Sequence, residues 1–342
     1  MNATSSVPES MSRPSRITFL PSLGILLVTG GFFLLVWCLY LWVKPLPAAY
    51  TYQLVEEGAS NQFSHLQLDA WPDLKISKYE LRVPSLEKPV AIAYQTKNPV
   101  GNSVLLNWEN LVSEPIVTAS VDFSELRTLA ADIANHVPKD AIILAWWDTS
   151  MQLKLLSKRD TLFTSYLAHP LIVPSYWKDR SDEIAEYERE FWGPLGATEE
   201  QEKFKTFADA LSSEASKGAN LLKQVAGSRE AYIVVHPADL YKLAMMYPDR
   251  IDLAFKDFPL TGNVHGLAGQ VKGWMKENGY NTYTLQSLSE KSVRAYFLNE
   301  TQKGKVLLAH MLPLMNSTPV DFEALQVVHK QGGYWVFKIP SA

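Results

Sequence analysis

Cysteine is almost absent from this chain of 342 residues: there is one, Cys38, and it lies inside a long apolar run near the N-terminus. Everything outside that run therefore lacks a thiol for a disulfide, a thiolate nucleophile, an iron–sulfur cluster or CxxCH haem attachment. A domain of this size can rely on its own core in place of disulfides. If it is exported, a bacterial periplasm fits it better than a eukaryotic cell surface does.

A basic charge excess and catalytic motifs are also lacking. The formal net charge is −4, so there is no basic field for nucleic acid and we expect no nucleic-acid partner. The histidines form no HxH, HExxH or Glu-x-x-His pair, and the glycines form no GxSxG, GxGxxG or GxxxxGK[ST] motif. The residues thus predict no metal, no cofactor and no catalytic site, and they do not demonstrate an enzyme.

What the sequence does contain is one long apolar run, from Ile17 to Val43, without a charged side chain. As a helix it would be about 40 Å long, enough to cross roughly 30 Å of hydrocarbon. A cleaved secretory signal is the alternative, but its apolar core is usually only about half as long. Arg13 and Arg16 precede the run, which favours an N-terminus inside the cell. We therefore expect a cytoplasmic tail 1–16, a transmembrane helix 17–43 in the bilayer of a bacterial inner membrane, and a large periplasmic part.

The exported part is predicted to begin with a small β-rich region, residues 44–123. Short alternating runs are separated there by proline, glycine and asparagine, which is typical of strands. The runs are TYQLV, HLQLDAW, KYELRV, VAIAYQT, SVLLNW and IVTASVDF.

Residues 124–342 are predicted to form a three-layer α/β domain with a mixed sheet and antiparallel C-terminal strands. Helical patterns alternate with apolar runs, beginning with SELRTLAADIANHV, which Pro138 ends, and AIILAWW. Such alternation favours a mostly parallel sheet, continued by AYIVV, RIDLAF and YNTYTL. The last segments indicate antiparallel strands, with a hairpin turn at Gly332-Gly333. They are VRAYFL, KVLLAHML, ALQVVHK and GYWVFKI.

The densest group of polar and aromatic residues follows the strand AIIL. Trp147, Asp148 and Thr149 lie where a strand gives way to a helix, and Arg159 follows that helix. In open α/β sheets ligands bind outside the carboxyl ends of strands, so these four residues are candidate ligand-binding residues. The alternative is structural, because Asp or Thr can cap the helix and the tryptophans can fill the core. His236 follows another strand, where a surface or helix-start role is favoured over catalysis.

Several segments resemble the HaoB family, the membrane-anchored proteins encoded beside hydroxylamine oxidoreductase in ammonia-oxidising and some methane-oxidising bacteria. The resemblance covers the whole chain, anchor included. It implies a part in periplasmic hydroxylamine oxidation, with the multihaem hydroxylamine oxidoreductase as partner, and it brings no functional residues with it. The segments are AIILAWWDTSMQLKLLSKRDTLF, AYFLNET, LLAHMLP and QGGYWVFKIP.

A more distant similarity concerns Trp146-Trp147-Asp148, with Arg159 and Thr161 beyond it. It looks like the WWD segment at the start of the soluble domain of the oligosaccharyltransferase catalytic subunit. Thr149 and Ser150 replace the tyrosine and glycine of that motif, and the multi-span catalytic membrane domain is missing. These differences put transferase activity in doubt. A peptide- or acceptor-binding groove near Asp148 remains an expectation.

Two functional hypotheses follow. The first is a single-span periplasmic accessory protein of nitrification-type metabolism that docks or assists the multihaem hydroxylamine oxidoreductase. The second is a periplasmic ligand-binding or glycan-handling domain with a groove near Asp148.

Overall fold

The computed structural model describes residues 19–43, 49–260, 264–299, 306–315 and 325–340. The predicted cytoplasmic tail, and the first two residues of the predicted transmembrane helix, lie outside these ranges. The chain divides into two compact units, residues 1–47 and 48–342.

The first unit contains one helix, α1, Phe19–Val43, of 25 residues. It is apolar on every side and without a charged residue, so no face of it is suited to water. Its segment Leu23–Leu41 is long and apolar enough to cross a membrane, and none of that segment is buried. The predicted helix is therefore confirmed over the described residues.

The second unit begins with a four-stranded antiparallel sheet in the order β1-β2-β3-β4. Its strands match four of the six predicted runs and are β1 Thr51–Ala59, β2 Lys75–Arg82, β3 Ala91–Lys97 and β4 Ser103–Asn110.

The two other runs predicted as strands, HLQLDAW and IVTASVDF, are not strands. Ser64–Leu66 forms a 3-10 turn, and the alternation arises because Leu66 and Leu68 are buried beside it. In the second run Val117 adopts a φ of +67° and exchanges backbone hydrogen bonds with Ile172. A branched residue in that conformation breaks an extended strand.

The main sheet has the order β11-β12-β7-β5-β6. Strand β5 pairs in parallel with β6 and β7, while β12 pairs antiparallel with β7 and β11. The sheet is therefore mixed, with antiparallel strands at the C-terminus as predicted. Its strands are β5 Ile142–Leu144, β6 Asp160–Thr161, β7 Ala231–Val235, β11 Gln326–Gln331 and β12 Tyr334–Ile339.

Helices cover both faces of this sheet, which confirms the three layers. Alternate strand residues belong to different cores: Ile143 packs with α2 and α3, and Ile142 with α5 and α6. A sheet buried on both faces needs such continuous apolar strands. The helices are α2 Phe123–His136, α3 Trp147–Ser157, α4 Ser181–Trp192, α5 Thr198–Leu211, α6 Ala215–Ala226 and α7 Ala238–Met246.

The runs RIDLAF and YNTYTL do not continue the main sheet as the alternation predicted. They form a separate antiparallel sheet in the order β8-β10-β9, whose own core packs on one helix. VRAYFL supplies the central strand, so two antiparallel pairings, of which only β9–β10 joins consecutive strands, replace the expected parallel crossovers. The elements are β8 Leu253–Pro259, α8 Val264–Glu277, β9 Thr282–Ser289 and β10 Ser292–Leu298.

KVLLAHML was predicted as a strand and contains a short buried helix, α9 Leu307–Met311. An apolar run of this length does not distinguish a buried strand from a buried helix, since periodicity disappears when every side is covered. The Gly332-Gly333 hairpin is confirmed: it joins β11 to β12, and Gly332 has a φ of +56°.

Candidate functional site

The carboxyl ends of β5 and β7 meet at one edge of the main sheet. Asp148 follows β5 and His236 follows β7, on neighbouring parallel strands. From β5 the chain crosses through α3 to β6 on one side, while β7 lies on the other. This is the position at which open α/β sheets usually bind ligands.

The ammonium group of Lys242, from α7, fills this position. Its Nζ lies 3.0 and 2.8 Å from the two carboxylate oxygens of Asp148 and 3.5 Å from Oδ1 of Asp239. The side chains of Lys242 and Asp239 are only 5% and 6% exposed. Burial alone would lower the pKa of Lys242, but the charges of Asp148 and Asp239 outweigh it and raise the pKa, so the lysine is a cation.

Asp239 and His236 together begin helix α7. Oδ2 of Asp239 accepts the backbone N–H of His236 at 2.9 Å, and Nδ1 of His236 accepts the backbone N–H of Ala238 at 3.1 Å. Burial raises the pKa of Asp239 to about 6, and burial together with Lys242 lowers the pKa of His236 to about 3. The imidazole is therefore neutral at pH 7 and has a helix-start role, although it is buried rather than at the surface.

The C-terminal hairpin closes over this histidine. The ring of Tyr334 lies 4.8 Å from the His236 ring, centroid to centroid. Gly333 donates its N–H to Oε2 of Glu125 at 2.7 Å, and a Cβ at Gly333 would lie 2.4 Å from Nε2 of His236. Glycine is therefore required at this position by close packing.

The structure places three of the four predicted ligand-binding residues together. Asp148 accepts the N–H of Thr149 at 2.7 Å, which satisfies one first-turn donor of α3 as a helix-start residue should. Trp147 is buried, donates its indole N–H to the carbonyl of His169 at 2.6 Å, and packs edge-on against Tyr166 and Trp192. The polar groups of Asp148 and Trp147 are thus engaged in hydrogen bonds within the protein.

Arg159 lies at the other end of α3 and is not brought to Asp148. Its guanidinium donates to the carbonyls of Ala134 and Val137, at the C-terminal end of α2. These are carbonyls that a helix leaves without internal partners, so the arginine caps α2.

Little open space remains around Asp148. The two cavities that it lines, one beside Trp147 and one beside Tyr334, have volumes of about 10 and 30 Å3. Each has room for about one water molecule. A ligand role for Asp148, Thr149, Trp147 and Arg159 stays a prediction, whereas the geometry assigns the charged groups to holding strands and helices together.

A second buried charged group, Glu188 of α4, was missed from the sequence. Its carboxylate accepts hydrogen bonds from the hydroxyl groups of Tyr50 and Tyr52 and from the indole N–H of Trp192. Burial raises its pKa to about 7 although these donors oppose the shift. The sequence carried a signal, because Ile184, Glu188 and Trp192 recur at four-residue spacing and place a carboxylate on an apolar stripe.

Lys242, the cation beside Asp148, was also missed from the sequence. Lys242 and Asp239 are the two charged residues of the otherwise largely apolar helix α7, and their three-residue spacing places both on one face. That spacing could have identified the pair. Nothing in the local sequence links either residue to Asp148, which is 94 positions away from Lys242.

Replacing Lys242 with Met should destabilise the protein by roughly 3–5 kcal/mol, because two buried carboxylates lose their cation. Urea unfolding of the detergent-solubilised chain measures this. Lys203→Met, which breaks an exposed ion pair with Glu199, should cost far less, because solvent screens an exposed pair. Equal losses for the two variants would contradict a dependence on the buried cation.

Glu188→Gln tests the raised pKa. The folded-state pKa of about 7 exceeds the ordinary value, so the folded protein holds the proton longer than the unfolded chain as pH rises. The contribution is complete below the unfolded pKa and is lost as pH rises through 7. The free energy of unfolding of the unmodified protein minus that of Glu188→Gln should therefore fall by up to roughly 3 kcal/mol between pH 5 and pH 8.

In that experiment the other titrating groups are present in both proteins and cancel in the difference. Glu183→Gln is the matched control, since Glu183 lies on the same helix and its side chain is 38% exposed. Its difference gives the background for an exposed carboxyl on this helix. A difference for Glu188→Gln that falls no more than this background would contradict the assignment.

Comparison with known proteins supplies a family. The sequence profile described as HaoA-associated protein HaoB matches residues 16–339. None of the curated proteins compared with the chain matches it. The matched range contains α1, all three sheets of the described residues and the Asp148–Lys242 site, and it spans nearly the whole chain. The chain therefore belongs to the HaoB family of HaoA-associated proteins.

Proposed function

We propose that this chain is a single-pass accessory protein of the bacterial inner membrane whose large periplasmic domain docks the multihaem hydroxylamine oxidoreductase, HaoA. The family match carries the proposal, because the family is defined by association with HaoA and its profile includes the apolar helix. Membership in the family makes the chain an accessory protein of hydroxylamine oxidation. The membrane address and the docking role are the proposed steps beyond it.

The dimensions of α1 support the membrane address. A helix of 25 residues is about 37 Å long and exceeds the roughly 30 Å of hydrocarbon in a bilayer. Arg13 and Arg16 before it favour a cytoplasmic N-terminus, and Trp37 and Tyr40 suit the interface at its other end. The domain beyond α1 would then lie in the periplasm.

The composition of the large domain supports the same compartment. It has no cysteine, so oxidising conditions cannot cross-link it. Its two main cores instead bury long series of apolar side chains on both faces of the main sheet. Folding of this domain in the periplasm would therefore need neither a disulfide bond nor a disulfide isomerase.

A tether is the activity that these features allow. Holding a soluble enzyme at a membrane raises its effective concentration near membrane-bound electron acceptors without any chemistry by the tether. The single cysteine excludes covalent CxxCH haem attachment in the domain. In this proposal the oxidation of hydroxylamine and its haems belong to the partner.

Membrane topology can be tested with introduced cysteines, since the chain has only one to remove. In a Cys38→Ser background, Glu87→Cys should react with a membrane-impermeant maleimide in intact cells, because Glu87 is exposed on the domain. Ser6→Cys, in the predicted cytoplasmic tail, should react only after the inner membrane is lysed. The reverse pattern would place the domain in the cytoplasm and end the proposal.

Docking can be tested on the same membranes. Spheroplasts that carry the chain should retain added hydroxylamine oxidoreductase on sedimentation at low salt, and spheroplasts that lack the chain should not. An unrelated soluble periplasmic protein serves as the control for trapping. Equal retention with and without the chain would remove the docking role and leave only the anchor.

A further inference from the structure

A groove of about 850 Å3 lies between α3, the loop before β2 and the turn between β3 and β4. Its floor is apolar: Met151 and Leu155 from α3 face Trp71 and Leu74 from the loop. On the turn, the side chain of Val100 is 79% exposed. The volume is in the range of pockets that bind ligands or partner side chains.

Cations form one wall of this groove. Lys154 lies on the last turn of α3 and Lys158 follows its last residue, Ser157, so two ammonium groups line the groove beside Leu155. Lys139 adds a third ammonium group at the same end.

The acidic residues of the protein do not neutralise all of these cations. Asp160 pairs with Arg229 at 2.6 Å and with Lys154 at 3.6 Å. Lys139 and Lys158 have no ion pair among the described residues, and Asp73 is the one other acid that lines the groove. A net positive groove on a chain whose net charge is −4 is a local site for acidic groups.

The walls are held in place before anything binds. The indole N–H of Trp71 donates to the carbonyl of Leu156 at 3.0 Å, which fixes the loop to α3. Oδ1 of Asn98 accepts the backbone N–H groups of Val100 and Asn102 at 3.1 and 2.8 Å, which fixes the turn. A preformed groove loses little conformational freedom on binding.

We propose that this groove docks an acidic amphipathic helix of a partner protein, with its apolar stripe on Leu155, Trp71 and Leu74 and its carboxylates beside Lys154 and Lys158. An apolar floor next to a cationic wall calls for an occupant with an apolar stripe next to an acidic one. A concave groove walled on two sides fits a helix better than a flat anionic bilayer. That the helix belongs to hydroxylamine oxidoreductase rests on the proposed function.

The probe is a labelled synthetic helix of fourteen residues with leucine on one stripe and glutamate beside it. Fluorescence anisotropy with the full chain in detergent should show saturable binding that weakens as salt rises. Lys139→Glu with Lys158→Glu should weaken it roughly tenfold or more, since two attractions become repulsions. Val100→Asp should weaken it independently of the lysines.

The matched control is Lys272→Glu with Lys276→Glu on α8. It makes the same change in net charge on exposed lysines, and Lys276, like Lys158, lies at a helix C-terminus. Binding should stay as in the unmodified chain, and melting temperatures check that every variant is folded. Absence of saturable binding, equal loss in both double variants, or binding of phosphatidylglycerol vesicles in place of the helix would each overturn the proposal.

The oxidoreductase is then tested with the same variants on spheroplasts. Loss of its retention with the groove variant and not with the α8 variant identifies it as the source of the helix. If the variant with Lys139→Glu and Lys158→Glu retains the oxidoreductase as well as the unmodified chain does, docking occurs elsewhere. The proposal for the groove is then overturned, while the docking function stands. If the groove binds the synthetic helix but neither the unmodified chain nor any variant retains the oxidoreductase, the proposal for the groove stands and the proposed function is rejected.

Discussion

Lys242 brings a positive charge to the carboxyl edge of the main sheet, where Asp148 and Asp239 neutralise it. The contact with Asp148 joins α7 to the start of α3, while Asp239 lies one turn before Lys242 on α7 itself. Removing the cation would leave two buried carboxylates facing each other, which is far more costly than losing an exposed pair. Burial and, to a smaller extent, Lys242 lower the pKa of His236, which starts α7 beside this charged group. The buried charges therefore hold the segment after β5 against the helix after β7.

The same interaction occupies the place where an α/β sheet would otherwise bind a ligand. An ammonium group, two carboxylates and the buried Trp147 fill this edge, and two cavities that Asp148 lines have volumes of about 10 and 30 Å3. The polar groups are consumed in holding helices to strands, so none of them is left poised over an open crevice. Binding by this domain is then expected at its outer surfaces, and the groove along α3 is lined by Lys139 and Lys158, which form no ion pair among the described residues.

How far the sequence predicted this structure depends on whether the signal was local. Apolar runs and turn residues identified α1, the three layers and the Gly332-Gly333 hairpin because each follows from neighbouring residues. The strand predicted for HLQLDAW was wrong because its alternation reflects the burial of Leu66 and Leu68 and not strand pairing. KVLLAHML failed because a fully buried segment has no periodicity to read. At the site, Asp148 was found from its strand-end position, while its partner Lys242 is joined to it only by the fold.

The docking contact alone sets how strongly a soluble partner is held, because a membrane anchor fixes this chain and adds no contact with that partner. Modest affinity is what an exposed groove with unpaired lysines provides, because exposed ion pairs contribute little and are screened by salt. It also allows exchange, since weak contacts release their partner quickly. Under the proposed function, an apolar helix of 25 residues combined with a cationic groove thus suits reversible retention of a soluble enzyme at the membrane better than permanent assembly.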